Sequence, residues 1–170
     1  MNNCQCCGIE EKFDEGYVEK KLDEYRRNGP KATTRALIDA LESAGVRNRT
    51  LLDIGGGLGD IQHALIRSGL AEAHNVEASA AYLEAAQREA VRLGHAAQVH
   101  FMHGNFADLA ESIPQADIVT LDRVICCFDD MQRLVERSAR KARRLYGLVY
   151  PRDTWWVKLG VWLYYDLRHW

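Results

Sequence analysis

The chain has no surplus of charge: 22 Lys and Arg stand against 24 Asp and Glu, a formal net charge of −2. It therefore lacks the basic field by which nucleic acid or an anionic membrane surface is gripped, and a small molecule is the better-matched partner. It also lacks a basic start followed by an apolar stretch and a small-residue cleavage site. The expectation is a cytoplasmic protein whose five cysteines are reduced thiols. No membrane span is expected, since Lys158, Asp166 and Arg168 interrupt the most aromatic stretch. Paired cysteines at zinc spacing are missing too. Cys4, Cys6 and Cys7 stand as Cys-x-Cys-Cys with no fourth ligand, so no metal is assigned and residues 1–13 read as a mobile N-terminal segment.

What the chain does hold is a concentration of glycine at one place. Thr50 to Asp60 reads Thr-Leu-Leu-Asp-Ile-Gly-Gly-Gly-Leu-Gly-Asp. Leu51, Leu52 and Ile54 form the apolar run of a strand buried on both faces, and Ile61, Ala64 and Leu65 then recur at helical spacing. Gly55, Gly56, Gly57 and Gly59 remove the side chains that would keep a ligand off the backbone, and a plain turn would not require so much conformational entropy to be lost. The spacing is not that of a dinucleotide site, because Asp60 or Gln62 occupies the last place of G-x-G-x-x-G. No Gly-Lys-Ser/Thr follows as in a P-loop.

Around this loop the pattern alternates between helix and strand. Tyr17, Val18, Leu22 and Tyr25 predict a helix from Asp14 to Asn28, stopped by Gly29-Pro30. A second helix follows, capped by Thr33 or Thr34, with Ala36, Leu37, Ala40 and Leu41 on one face and Gly45 as its stop. His74 to Ala78 reads as a strand, Ser79 as the cap of a helix through Arg92, and Val99 to His103 as a third strand. Ala116 to Leu121 is nearly continuous in apolar residues, as a central parallel strand should be. A helix is expected from Asp129 to about Arg144, with Arg133, Arg137, Arg140, Lys141, Arg143 and Arg144 on an exposed side that is either a solvated face or an RNA or acidic-ligand surface. Leu145 to Tyr150 completes five strands. The alternation predicts an α/β fold: a Rossmann-like, doubly wound, mostly parallel sheet with helices on both faces.

The run Asp53-x-Gly55-x-Gly57-x-Gly59, between strand and helix, resembles the first motif of the class I S-adenosylmethionine-dependent methyltransferases of small-molecule type. The resemblance covers about Leu51 to Tyr150. It implies S-adenosyl-L-methionine as cofactor, with Asp53, Gly55, Gly56, Gly57 and Gly59 facing its methionine and ribose. Glu77, 20 residues past Gly57 at the end of the second strand, would accept both ribose hydroxyls, with Ala78 beside it. Asn105 and Phe106 stand where the family usually carries Gly-Asp beside the adenine. Asn105 can accept from the adenine amino group and donate to a ring nitrogen, and Phe106 can lie against the base. Asp122, at the end of the fourth strand, would flank the transferable methyl, and the leading helices, with Tyr17 and Tyr25, would shape the acceptor pocket. The family normally adds two further strands after the fifth. Here residues 151–170 form an aromatic tail of the same domain as residues 14–150, expected to cover the open sheet edge or to meet a second copy as a homodimer.

The leading expectation is an enzyme that methylates a small organic acceptor. A nucleic-acid substrate is disfavoured, because neither an Asn/Asp-Pro-Pro-aromatic run nor a Pro-Cys pair is present. A general base would be needed only for a weakly acidic acceptor; His103 and Asp122 are candidates, with Arg123 as an anchor for an acidic substrate, and no catalytic residue is singled out. A cofactor-binding module without turnover and a nicotinamide-dependent oxidoreductase are the competing classes.

Overall fold

The computed structural model describes residues 13–125 and 130–150. In chain order these form α1 (Glu15–Asn28), α2 (Ala32–Ala44), β1 (Thr50–Ile54), α3 (Asp60–Arg67), β2 (Glu72–Glu77), α4 (Ala80–Leu93), β3 (Val99–His103), the short α5 (Phe106–Leu109), β4 (Ala116–Asp122), α6 (Met131–Ala139) and β5 (Ala142–Val149). The five strands make one parallel sheet in the order β3-β2-β1-β4-β5, with β1 at its centre. Since β1 has a neighbour on each side and a layer on each face, Leu51 and Leu52 are both fully buried although they point opposite ways.

The period of two along each strand sorts the core into two layers. Leu51, Ala73, Val99 and Ile118 meet Ile38 and Leu41 of α2 and Ile61 and Leu65 of α3 on one face. Leu52, Ile54, Val76, Val119 and Leu121 meet Phe106, Ile113 and Leu134 on the other. A third cluster lies outside the sheet, where Val18 and Leu22 of α1 pack on Leu58 and Ala85 of α4. Arg26 closes that seam by donating from Nε and Nη2 to Glu89, at 3.0 and 2.9 Å.

Several expectations are corrected. The helix expected from Asp129 to about Arg144 ends at Ala139, and Arg143 and Arg144 lie exposed in the first turnings of β5. Charged residues carry no period of their own, and pairing with β4, where Ala142 sits opposite Ala116, decides that segment. The second strand begins at Glu72 rather than His74 and ends at Glu77, before Ala78. Neither Thr33 nor Thr34 caps α2; Lys31 is its N-cap and makes no side-chain bond. Phe13, assigned to the mobile start, has its ring 5.4 Å from that of Tyr82 and 5.6 Å from that of Tyr17. Cys4, Cys6 and Cys7, Cys126 to Asp129, and the aromatic tail lie outside the described residues. Among the described residues no helix is long and apolar enough to cross a membrane.

Candidate active site

Strand order reverses between β1 and β4: the chain moves outward from β1 to β2 and β3, then returns to β4 and moves outward again to β5. Connections leaving two neighbouring strands in opposite directions open a crevice at their carboxyl ends. There a cavity of about 500 Å³ is found, within the range of about 300–1,000 Å³ usual for small-molecule sites.

Its floor is the glycine loop. Gly55 donates from N to the Val76 carbonyl at 2.7 Å, and Gly57 N donates to Glu77 Oε2 at 3.0 Å, so the loop is fastened to the end of β2. The four glycines are needed for different reasons. A Cβ on Gly56 would lie 2.5 Å from the Asn75 amide nitrogen beneath it. Gly57 has φ of +53°, and a Cβ there would meet nothing nearer than the Tyr82 ring at 3.9 Å, so it would project into the open cavity. Asp53, Gly55, Gly56, Gly57, Glu77, Ala78, Asn105, Phe106 and Asp122 all line the cavity; Gly59 does not. Gly59 is instead the left-handed N-cap that turns the loop into α3, with Gln62 filling the space its Cβ would take.

The walls differ from expectation in detail. Glu77 is buried, 8% exposed, rather than standing at an open strand end, and its second oxygen accepts from Ser79 N at 2.9 Å. Burial pushes its pKa up while these backbone donors pull it down. Asn105 Oδ1 accepts from Ala107 N at 2.9 Å as the cap of α5, which engages the oxygen expected to meet an adenine amino group. Phe106 is 3% exposed and mostly core. Asp53 points across the sheet, accepting from Thr120 Oγ1 at 2.7 Å, and burial raises its pKa to about 7.

Asp122 is clamped. Arg123, whose backbone is left-handed at φ +62°, donates from Nε and Nη2 to its two carboxylate oxygens at 2.9 Å each, and Thr34 Oγ1 donates to Oδ2 at 2.6 Å. His103 lies outside the lining, its Nε2 3.1 Å from the Ala78 carbonyl oxygen. The roof is α1, with Tyr17, Lys21 and Tyr25 over the cavity; burial raises the Tyr25 phenol to about 12.

Asp60, Thr34 and Tyr82 were not found from the sequence. Asp60 lines the cavity in the first turn of α3, and burial, with the nearby Asp122 charge second, raises its pKa to about 6. Its signal was present: an acid directly after a glycine loop, at a helix N-terminus, is where the helix dipole favours a carboxylate. Thr34 carried no signal, because its partner Asp122 is 88 residues away.

A profile of the methyltransferase domain family matches residues 52–144. The chain belongs to that family. It has the class I methyltransferase fold, shared with solved structures at low identity. Magnesium protoporphyrin IX methyltransferase from Synechocystis, solved with bound S-adenosylhomocysteine, superposes with a TM-score of 0.66 at 17% identity over 86% of this chain and 74% of that one. A candidate RNA methyltransferase from Pyrococcus horikoshii gives 0.59 at 14% identity, covering 74% of this chain and 67% of that one. An S-adenosylmethionine-dependent methyltransferase from Thiobacillus denitrificans, in complex with S-adenosylhomocysteine, gives 0.54 at 23% identity over 64% of this chain and 44% of that one. The chain thus spans less than half the length of the last of these. No curated protein matches the sequence. The family's cofactor is S-adenosylmethionine, and the cavity suits it in two respects: the cradle a Cβ on Gly57 would fill, and the carboxylates of Glu77 and Asp60 in its lining.

Proposed function

We propose that this methyltransferase transfers the methyl group of S-adenosylmethionine to a small organic acceptor in the cytoplasm. The observation that carries the reading is Gly57, held in a left-handed conformation beside Glu77 with open cavity where a side chain would stand. Glu77 would hold the ribose hydroxyls, since a carboxylate offers about four lone-pair sites and two are used by Gly57 and Ser79. Asp60, a carboxylate inside the cavity, would face the methionine ammonium group. Gly104, Asn105 and Phe106 would border the adenine, Asn105 through its amide nitrogen.

When bound, the cofactor supplies an electrophilic methyl on a sulfonium. The chain's own contribution is positioning and exclusion of water: Tyr17, Tyr25 and Tyr82 wall the cavity on the α1 side and Val124 on the β4 side, while the Arg123–Asp122–Thr34 clamp fixes the end of β4. Of the basic residues expected on one helix face, Arg133 and Arg137 lie in α6, Arg143 and Arg144 in β5, and Arg140 and Lys141 between the two, which favours a small acceptor over RNA. A second reading, binding without turnover, is favoured by one observation: of the two candidate bases, Asp122 is clamped and His103 lies outside the cavity. Calorimetric titration with S-adenosylmethionine, S-adenosylhomocysteine and reduced nicotinamide dinucleotides tests the first step. Binding of the adenosyl ligands alone is expected, and heat only from the nicotinamides would sink the proposal. Release of S-adenosylhomocysteine across a panel of carboxylate, phenol and amine acceptors then separates enzyme from binding module.

A further inference from the structure

Buried polar atoms normally find partners, because an unpaired one loses its hydration for nothing in return. Among the described residues, the buried side-chain nitrogens and oxygens without a partner are Gln62 Nε2, His63 Nε2 and Asn75 Oδ1. They are not scattered through the core. All three belong to side chains directly beneath the glycine loop, and each of those side chains is fully buried. The Asn75 amide occupies the place of a Gly56 Cβ, with Nδ2 at 2.5 Å and Oδ1 at 3.0 Å. Gln62 Nε2 and His63 Nε2 do the same for Gly59, at 2.4 and 3.0 Å from the Cβ position. Asn75 Nδ2 donates to Gln62 Oε1 at 2.9 Å, which joins β2 to α3 under the loop. His63 stays neutral, its pKa lowered to about 4 by burial and then by His95, whose Nδ1 is 3.1 Å from its own.

The same residues extend a buried polar row across the sheet. Asn75 is in register with Asp53, and Asp53 with Thr120, whose hydroxyl it accepts. Apolar side chains of similar volume would fill these positions with no unpaired atoms. A fold alone does not require polar groups here.

We propose that Gln62 and Asn75 are positioning residues: a polar seat that fixes the height and tilt of the glycine loop so that Gly55 to Gly57 present their backbone correctly to the cofactor, at a cost in fold stability. The proposal rests on the cofactor assignment above. The seat acts through the loop and touches no ligand itself, for Gln62 and Asn75 are absent from the cavity lining.

The test compares stability with binding. The double variant Gln62→Met/Asn75→Leu removes both amides at nearly constant volume and leaves neither the Asn75 Nδ2 donor nor the Gln62 Oε1 acceptor without its partner, and Leu70→Ala, a buried core truncation away from the loop, serves as control. Each variant is measured for its thermal midpoint and, well below that midpoint, for calorimetric affinity toward S-adenosylhomocysteine. The apolar double variant is expected to melt at or above the wild type yet bind about tenfold more weakly, while Leu70→Ala melts lower and binds normally. The reciprocal double variant Gln62→Asn/Asn75→Gln, which keeps an amide pair beneath the loop, should recover most of the affinity. Wild-type affinity in the apolar double variant, a loss no greater than that of the control, or no recovery in the reciprocal variant overturns the seat. A wild-type protein that does not bind S-adenosylhomocysteine removes the cofactor assignment and the seat with it.

Discussion

Glu89 and Asp60 are both acids withdrawn from water, yet they are treated in opposite ways. Glu89, in the seam between α1 and α4, has a side chain 0% exposed and receives Arg92 and Arg26, whose own side chains are 50% and 38% exposed. The hydrogen bond from Arg92 holds its pKa below the usual carboxylate range despite its burial. Asp60, in the cavity, is reached by the charges of Arg123 and Lys31, yet burial and the Asp122 charge outweigh them and its pKa rises to about 6. The seam is a completed set of contacts and contributes stability. The cavity holds a carboxylate whose ionisation the folded chain opposes, and a bound cationic group would relieve that opposition.

The largest expected effect separates the two regions at Gly57. Gly57→Val should abolish measurable binding of S-adenosylmethionine in a calorimetric titration, because a branched side chain opposes φ of +53° and enters the cavity, while the melting temperature falls only modestly. Normal binding by the valine variant would show the loop to be a turn and nothing more.

Glu77→Ala should act on both sides of the comparison. Binding is expected to weaken by about 2–4 kcal/mol and the fold by about 1–2 kcal/mol, since Gly57 N and Ser79 N lose their acceptor. Equal affinity in the folded variant would remove Glu77 from the site. Glu89→Ala should do the converse, costing about 2 kcal/mol of stability, or a fall of about 4–8 °C in Tm, with cofactor affinity unchanged. Because the folded pKa of Glu89 is depressed, this contribution is present above its unfolded pKa and is lost as pH falls through the folded value; the variant's deficit should therefore shrink in acid.

Asp60→Asn sharpens the contrast by moving stability and binding in opposite directions. With a raised folded pKa, ionised Asp60 disfavours the native state above pH 6 and leaves it unaffected below the unfolded value near 4. The ligand-free variant should accordingly be more stable than wild type by about 1–2 kcal/mol at pH 7, and equal to it near pH 4, in thermal scans across pH. Its affinity for S-adenosylmethionine should be lower at pH 7, and wild-type affinity should decline as pH drops through 6. A variant less stable at pH 7 would place Asp60 among the structural acids with Glu89. The smallest effect is Thr34→Val, which removes the 2.6 Å bond to Asp122 and should cost about 1 kcal/mol in denaturant unfolding.

The glycine loop, the apolar strands and the acid at the end of β2 were legible because each is a local pattern: a strand's period, a missing Cβ, a fixed count of residues from loop to strand end. Ser79 as the cap of α4, accepting from Tyr82 N at 3.3 Å, and Gly94 as its left-handed stop are of the same kind. The run from Asp129 to Arg144 was misread as one helix because its basic residues have no period that distinguishes a helix face from a sheet edge. Glu89 drew no reading from the sequence, since nothing beside it announces Arg26, 63 residues earlier. Tyr82 lines the cavity above Gly57, a place that its position on a regular helix does not announce.

By itself the sequence determined a strand, a glycine loop and a helix in succession, the alternation that builds a parallel sheet, and the kind of ligand the loop can approach. These follow from steric and conformational preferences of neighbouring residues, which act whatever the rest of the chain does. Only the tertiary structure decided that Thr34 would clamp Asp122, that Asn75 and Gln62 would lie beneath the loop, and that Glu89 would be held charged while burial opposed the charge of Asp60. Those outcomes depend on strand order and helix placement, which bring residues far apart in the chain into one low-dielectric interior, where a charge or an amide is governed by the groups it meets there.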